Sequence, residues 1–434
     1  MHITENDYIV GAGARLPRRK RLFLALLLGM MAAFGPLCTD TYLPSLPALA
    51  ADLSISTATT QLTITACLLG MALGQLFVGP ISDSTGRRKP LFAALVFFTL
   101  ASIFCAAART GNSFIALRFA QGLGGAGGIV LARAMACDLF RGPELTNFMS
   151  MLMAVNGIAP ITGPLLGGWL ASVSGWPLIF YFLTGFGILL IVLSALGLPE
   201  TLPQTMRREG GLRASWRVMG ALLRQKPFMC YVGVQGFTMG GFFGYVAASP
   251  FVLQGMYGIS PQGYSIIFGC NALSVMFVAL TTARLSRRFG EARLLHIGNA
   301  LRSVACLGVL VVTVLNPASP VPLLMGLFFM IALQGMTLPT SFTLGISAQN
   351  VGAGTASGIL GVAVFIFGAC TSPLVGLAGA DTAVPLGVVS ALTGLAAAAL
   401  GYMGNREMKK RAQKQANTGA NSEAQNAGKN ENSA

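Results

Sequence analysis

Residues 177–198 read PLIFYFLTGFGILLIVLSALGL, a run without one charged side chain. At about 1.5 Å of rise per residue, a helix of this length covers the ~30 Å hydrocarbon core of a bilayer. Similar uncharged runs occupy Leu22–Leu37, Leu91–Ala108 and Leu323–Leu333. Of the 434 residues, 54% are hydrophobic and 10% charged, where a soluble globular chain carries roughly a quarter charged. So little charge leaves a water-facing surface of this size uncovered, and lipid is the solvent that fits it. Polar breaks predict twelve spans, at 22–46, 60–81, 90–108, 113–136, 146–170, 176–198, 228–253, 262–283, 294–315, 321–347, 354–377 and 383–404. Gly and Pro recur inside them, as membrane helices tolerate. The expected fold class is all-α integral membrane.

The charges set the topology. With the N-terminus inside, all but four of the 29 Lys and Arg fall in the inner segments, the four being Arg109, Arg118, Arg133 and Arg302. That is the positive-inside pattern. The net charge of +15 therefore reads as a topology signal rather than a nucleic-acid footprint, and no nucleic-acid partner is expected. A secretory leader is weighed and set aside: the first apolar stretch is long, contains Asp40 and is followed by many more spans. We expect it to be the first helix, in a bacterial inner-membrane protein with both termini cytoplasmic. Eight scattered cysteines and two histidines (His2 and His296) suggest neither disulfides nor a metal site, and no cofactor is expected.

Residues 1–21 form a basic arm, and 199–227 the longest polar interruption, dividing the chain into halves at 22–198 and 228–404. Residues 405–434, rich in Asn, Gln, Ala, Lys and Glu, are expected to be disordered. The halves echo each other. Gly79-Pro80-Ile81-Ser82-Asp83-Ser84-Thr85-Gly86-Arg87-Arg88-Lys89 follows span two, and Ala283-Arg284-Leu285-Ser286-Arg287-Arg288-Phe289-Gly290-Glu291-Ala292-Arg293 follows span eight. Pro164–Gly167 in span five likewise matches Pro373–Gly376 in span eleven. Repeated halves are a common transporter plan.

Asp40 is the first candidate for chemistry, because a carboxylate inside the membrane costs a few kcal/mol and is rarely idle. It reads either as a proton carrier or as a carboxylate near the outer interface. Arg118 lies at similar depth, and an arginine there needs a partner, so an Asp40–Arg118 pair is expected, static or switching. In the loop after span two, Gly79, Asp83, Gly86, Arg87 and Arg88 form a candidate gate with Asp138. Arg87 would pair with Asp138, while Asp83 would accept from a helix N-terminus of the other half. Span five carries Gly157, Pro160, Gly163, Pro164, Gly167 and Gly168, small residues and prolines suited to a bent helix that packs closely. Tyr42, Gln61, Gln121, Asn156, Gln235, Tyr245 and Asn271 are candidates for a substrate cavity, or else for packing between helices.

These residues resemble a known family. The 79–89 loop is similar to the signature loop of the major facilitator superfamily, and Leu117-Arg118-Phe119-Ala120-Gln121-Gly122 resembles its span-four arginine motif. Ala159-Pro160-Ile161-Thr162-Gly163-Pro164-Leu165-Leu166-Gly167-Gly168 resembles its antiporter motif. Thr39-Asp40-Thr41-Tyr42-Leu43-Pro44-Ser45-Leu46-Pro47 and Leu198-Pro199-Glu200-Thr201-Leu202 resemble the Bcr/CflA, or bicyclomycin-resistance, branch of drug:proton antiporters. The resemblance implies twelve helices in two six-helix bundles, with a central cavity opening alternately to each side. It implies Asp40 and Arg118 as coupling residues, Asp83 and Arg87 as gate, and Gly163 and Pro164 on the antiport helix. Arg287 stands where the second half would carry an acid, so the latch is expected on one side only.

The expected function is proton-coupled export of small, largely apolar drugs, bicyclomycin- or phenicol-like. Its partners are a small-molecule substrate, protons and membrane lipid, and the chain is expected to be a monomer and no enzyme. The alternative is a proton-coupled exporter of a sugar or amino acid, with a non-transporting receptor further behind. A receptor would be expected to carry a larger soluble domain. ATP-driven pumping is disfavoured, since no GxxxxGK[ST] loop occurs.

Overall fold

The computed structural model describes residues 16–140, 142–207, 211–349, 353–377, 379 and 382–431. Sixteen α-helices and no strands occur among them. The first half contains α1 (Arg18–Ala32), α2 (Phe34–Asp40), α3 (Leu46–Asp52), α4 (Thr57–Thr85), α5 (Arg88–Ala106), α6 (Gly111–Leu139), α7 (Gly142–Ser174) and α8 (Pro177–Gly197). After α9 (Gly211–Leu223) come α10 (Lys226–Pro250), α11 (Pro261–Phe289), α12 (Glu291–Leu315), α13 (Val321–Ala332), α14 (Gln334–Ser347), α15 (Ala353–Thr371) and α16 (Val384–Glu431). Ten described helices are long and apolar enough to cross a membrane, or eleven with the bent pair α1–α2 taken as one span. With α7, whose side chains are described only in part, the twelve expected spans are accounted for.

Lipid explains where the apolar side chains point. Leu196, Phe277, Val304, Trp169 and Phe104 are all more than half exposed, which water would not tolerate over so continuous a belt. The window that qualifies α10 as a span is 83% buried, and the one in α11 only 22%. So α10 is central and α11 faces outward. In the first half α4 and α6 pack closely through small residues. A Cβ placed at Gly70 would strike the Phe119 carbonyl oxygen, and one at Gly122 the Cys67 carbonyl oxygen.

The two echoing loops follow helices built alike. α4 and α11 are each 29 residues long, start at a serine (Ser56, Ser260) that accepts a backbone N–H, and end at a glycine of positive φ. Those glycines are Gly86 at φ 93° and Gly290 at φ 76°, a region that other residues enter only at a cost. Arg87, Arg88, Arg287 and Arg288 all sit at this basic end of the bundle.

Three expectations are corrected. Span one is not a continuous helix over 22–46: α1 and the segment that follows it meet at 42°, because Pro36 has no N–H to offer the Ala32 carbonyl. The 199–227 interruption is more than a polar linker, since α9 bridges the halves. Its Trp216 packs on Phe77 of α4 at 6.1 Å, while Leu222 joins Phe228, Ala356, Ile359 and Leu360 in an apolar cluster. The chain after 404, expected to be disordered, continues α16 as a helix to Glu431. That stretch has no proline, and Ala, Glu, Lys and Gln favour helix. Asn405 fixes its root, accepting from the Tyr231 hydroxyl at 2.7 Å. Residues 1–15 of the expected arm lie outside the described residues, as do Arg141 and 208–210.

The halves touch at the end remote from the basic loops. There Gln61 donates to the Ala247 carbonyl at 3.3 Å, Gln254 to that of Pro44 at 3.2 Å and Ser265 of α11 to that of Pro164 on α7 at 2.9 Å. Toward the basic end they part around a cavity of about 590 Å³. Because α4 and α6 meet backbone to backbone at Gly70 and Gly122, Gly122→Leu should cost about 1–3 kcal/mol by overpacking. The expected readout is a Tm lower by several degrees in detergent, and an unchanged Tm would mean the two helices can separate freely.

Candidate functional site

The basic-end network starts from the turn at Gly86. A Cβ there would sit 2.6 Å from Glu200 Oε2, so the loop is folded onto the segment after α8. Arg87 donates from Nη1 to Ser82 Oγ at 2.7 Å and Asp83 Oδ1 at 2.5 Å, and from Nε to Asp138 Oδ2 at 2.9 Å. Thr201 donates to the same Asp138 oxygen at 3.0 Å. Glu200 accepts the backbone N–H groups of Arg87 and Leu202 on one oxygen and that of Arg88 on the other, at 2.8, 3.1 and 3.1 Å. It thereby satisfies N-terminal donors of α5 that would otherwise be orphaned. Arg88 also lies over the Phe92 ring at 5.5 Å. Burial by itself would lower the Arg87 pKa, but bonds and charge from Asp138, then Asp83, outweigh it and hold the guanidinium above its ordinary value.

The Arg87–Asp138 pair is as expected. Asp83 is not: it bonds Arg87 on its own side rather than a helix of the other half. Every partner in the network belongs to the first half or to residues 200–202, so nothing here bridges the halves while the cavity stands open between them. Gly79 and Asp83 line that cavity. In the sequence Glu200 and Thr201 stand out only as members of the 198–202 motif. Their signal was an acid and a hydroxyl placed directly after an uncharged span.

Asp40 ends α2, is 3% exposed, and accepts a 2.7 Å bond from Thr39 Oγ1. The expected pair with Arg118 does not form. Arg118, fully buried, donates to Gln121 Oε1 and to the Cys38 carbonyl at 2.8 Å, and stacks over the Tyr42 ring at 4.3 Å. Equal depth along two helices does not fix the face each side chain points from, and the break at residues 40–42 turns Cys38, not Asp40, toward Arg118. No ion pair reaches Asp40 among the described residues.

The span-five glycines shape this corner. A Cβ at Gly163 would lie 3.6 Å from Asp40 Cβ, one at Gly167 would strike the Thr41 carbonyl oxygen, and one at Gly168 would lie 2.7 Å from Ser265 Oγ. So α7 wedges between the α2 break and α11. Pro160 and Pro164 lie within it, and Gly157 faces open space.

Of the cavity candidates, Tyr245 and Asn271 are joined by a 3.0 Å bond. Tyr42 bonds Thr63 at 3.1 Å, Gln121 bonds Ser102 at 2.8 Å, and Gln235 donates to the Leu338 carbonyl at 2.9 Å. All are buried in the halves or at the closed seam, as is Gln61. The Asn156 side chain lies outside the described residues. The open cavity is lined by others, among them Gln75, Arg133, Met149, Thr355 and Ser357. In the sequence Arg133 stands out only as one of the four basic residues away from the inner segments.

Helical bundles that meet at one end and part around a cavity at the other suit a membrane transporter. Residues 22–373 match the Major Facilitator Superfamily model, and the chain belongs to that family; it is a transporter and not an enzyme. It is 41% identical over 377 residues to the uncharacterized MFS-type transporter YdgK of Bacillus subtilis, covering 86% of this chain and 93% of that one. A bicyclomycin resistance protein homolog of Haemophilus influenzae is 30% identical over 370 residues, 85% and 93% of the two chains. Among solved structures, a bacterial homolog of the human lysosomal transporter Spinster shares the fold, with a TM-score of 0.71 at 15% identity over 91% of this chain and 99% of that one.

Replacing Glu200 with Ala removes the acceptor of three backbone donors, a loss of about 1–3 kcal/mol. The Arg87 and Arg88 amides should then lose protection in hydrogen exchange while amides in α10 keep theirs. Equal protection in both proteins would remove Glu200 from the network.

Proposed function

We propose that this chain exports small, largely apolar drugs, bicyclomycin- or phenicol-like, across the bacterial inner membrane in exchange for protons. The basic end faces the cytoplasm by the positive-inside rule, so the open cavity is the loading side. The observation that carries the reading is Asp40: a buried carboxylate with no cation paired to it among the described residues, set where α2 breaks, α7 packs by glycine and the halves meet. An acid in that position is costly when charged and cheap when neutral. Its protonation state therefore biases how tightly the seam where α7 meets Ser265 closes. The name of the Haemophilus relative supports a drug as cargo.

In the working cycle a drug enters from the cytoplasm, the basic ends close, and the seam around Gln61, Ser265 and Asp40 opens outward. Protonation of Asp40 from outside, followed by release to the cytoplasm, returns the carrier. The Arg87–Asp138–Asp83 network holds the first half rigid as it rocks, and α9 travels with both halves as a tether. The transporter works as a monomer, with lipid around its apolar belt.

The test uses inside-out vesicles loaded with an inward-acid gradient and challenged with bicyclomycin or chloramphenicol. Wild type should dissipate the gradient on drug addition, and Asp40→Asn, inserted at equal level, should lose that response by at least about tenfold, the scale set by removing one obligatory ionisable group. Full drug-dependent proton movement in the mutant would exclude Asp40 as the coupling site.

A further inference from the structure

The open cavity offers an assignment that the coupling site does not. Ile129, Val130, Arg133, Ala134 and Cys137 of α6 all line it, spaced as one face of a helix. Arg133 is the cation among them. Its Nε is buried without a hydrogen-bond partner, and no ion pair engages its guanidinium among the described residues. The acids of the same cavity, Asp83 and Asp138, are both bound by Arg87. Gln75 is the second anomaly. It lines the cavity from α4, its Nε2 is buried without a partner, and its Oε1 is turned toward Gly361 of α15, 3.1 Å from where a Cβ would stand.

Both orphaned atoms are donors. A buried donor without an acceptor is costly, and a ligand that supplies the acceptor recovers that cost. The depths of the two are ordered as well. Gly74 packs against Ala126 and Gly79 against Val130, so Arg133 lies about 10 Å nearer the basic end than Gln75. The cavity, about 590 Å³, is of drug size. Its walls combine apolar Ile129 and Met149 with small Thr355, Ser357 and Gly358 of α15.

We propose that Arg133 and Gln75 are the cargo-selecting residues of the inward-open cavity, and that they favour compounds carrying a carbonyl, nitro or carboxylate acceptor over lipophilic cations. Arg133 meets the cargo first and discriminates by charge. Gln75, deeper and uncharged, takes a neutral acceptor. A lipophilic cation finds Asp83 and Asp138 already engaged by Arg87 and, in its path, a guanidinium that no ion pair holds among the described residues. This rests on the reading that the chain carries drug-like molecules, but not on proton coupling.

The experiment is equilibrium binding to the full chain in nanodiscs, without a gradient, using labelled nalidixate (a carboxylate), chloramphenicol (neutral, with nitro and amide groups) and ethidium (a cation). Wild type should bind nalidixate and chloramphenicol more tightly than ethidium. Arg133→Met should weaken nalidixate by about tenfold or more and leave ethidium equal or improved, whereas Arg133→Lys should keep nalidixate within about threefold. Gln75→Leu, which leaves the charge in place, should weaken chloramphenicol more than nalidixate. Ethidium preferred by wild type, none of the three probes bound by folded wild type, or unchanged affinities in both Arg133→Met and Gln75→Leu would each overturn the proposal. Proton antiport failing in vesicles while this binding pattern holds would overturn only the coupling reading.

Discussion

Water is absent from the hydrocarbon core, so every backbone N–H and C=O that crosses it must find its partner within the chain. That constraint selects helices throughout and drives charges to the ends. It also makes each place where the helical ladder stops informative. Between α1 and α2, at residues 40–42, at the π turn Phe251–Met256 and at Leu333, the ladder is broken or bent. The breaks in the first half gather at the seam and bring Asp40, the Cys38 carbonyl and Thr41 together. A broken ladder exposes a carbonyl, and a buried arginine takes it up: Arg118 binds that of Cys38. Arg302, also fully buried, binds the Thr238 carbonyl at 3.1 Å. Backbone dipoles thus hold buried cations where carboxylates would be the first expectation.

The two ends of the molecule are held by different physics. At the closed end the halves meet through single neutral hydrogen bonds and glycine-spaced contacts, which are weak individually and exchangeable. At the basic end a charged network binds strongly, but wholly on one side of the gap. Such an arrangement keeps the first half intact while the contacts between halves are free to change. The second half has Arg287 where Asp83 stands in the first, and no counterpart of the network occurs there among the described residues. Its echo of the first half survives in what the turn demands, a serine cap and a positive-φ glycine, and not in its charges.

Much of the fold was legible in the sequence because lipid leaves few choices. The long apolar spans and the basic end follow from runs of apolar residues and the placement of Lys and Arg, properties that need no knowledge of neighbours. The Arg87–Asp138 pair was also legible, since both residues sit at helix ends that chain connectivity brings to one side of the membrane. Asp40 was legible as an oddity, a charge where charge is expensive.

What the sequence left undetermined was rotation and partnership. Asp40 and Arg118 share a depth, yet they point to different neighbours, because depth follows from counting residues and facing follows from how helices pack. Glu200 and Thr201 acquire their places only when the segment after α8 folds back under α5. Arg133 and Gln75 become cavity residues only because the halves part below α4 and α15. The chain by itself determined which segments are apolar enough to enter the membrane and where the charges gather, through properties that each segment carries alone. Only tertiary structure decided which polar groups meet and which are left without partners, since those outcomes depend on surfaces that no single segment contains.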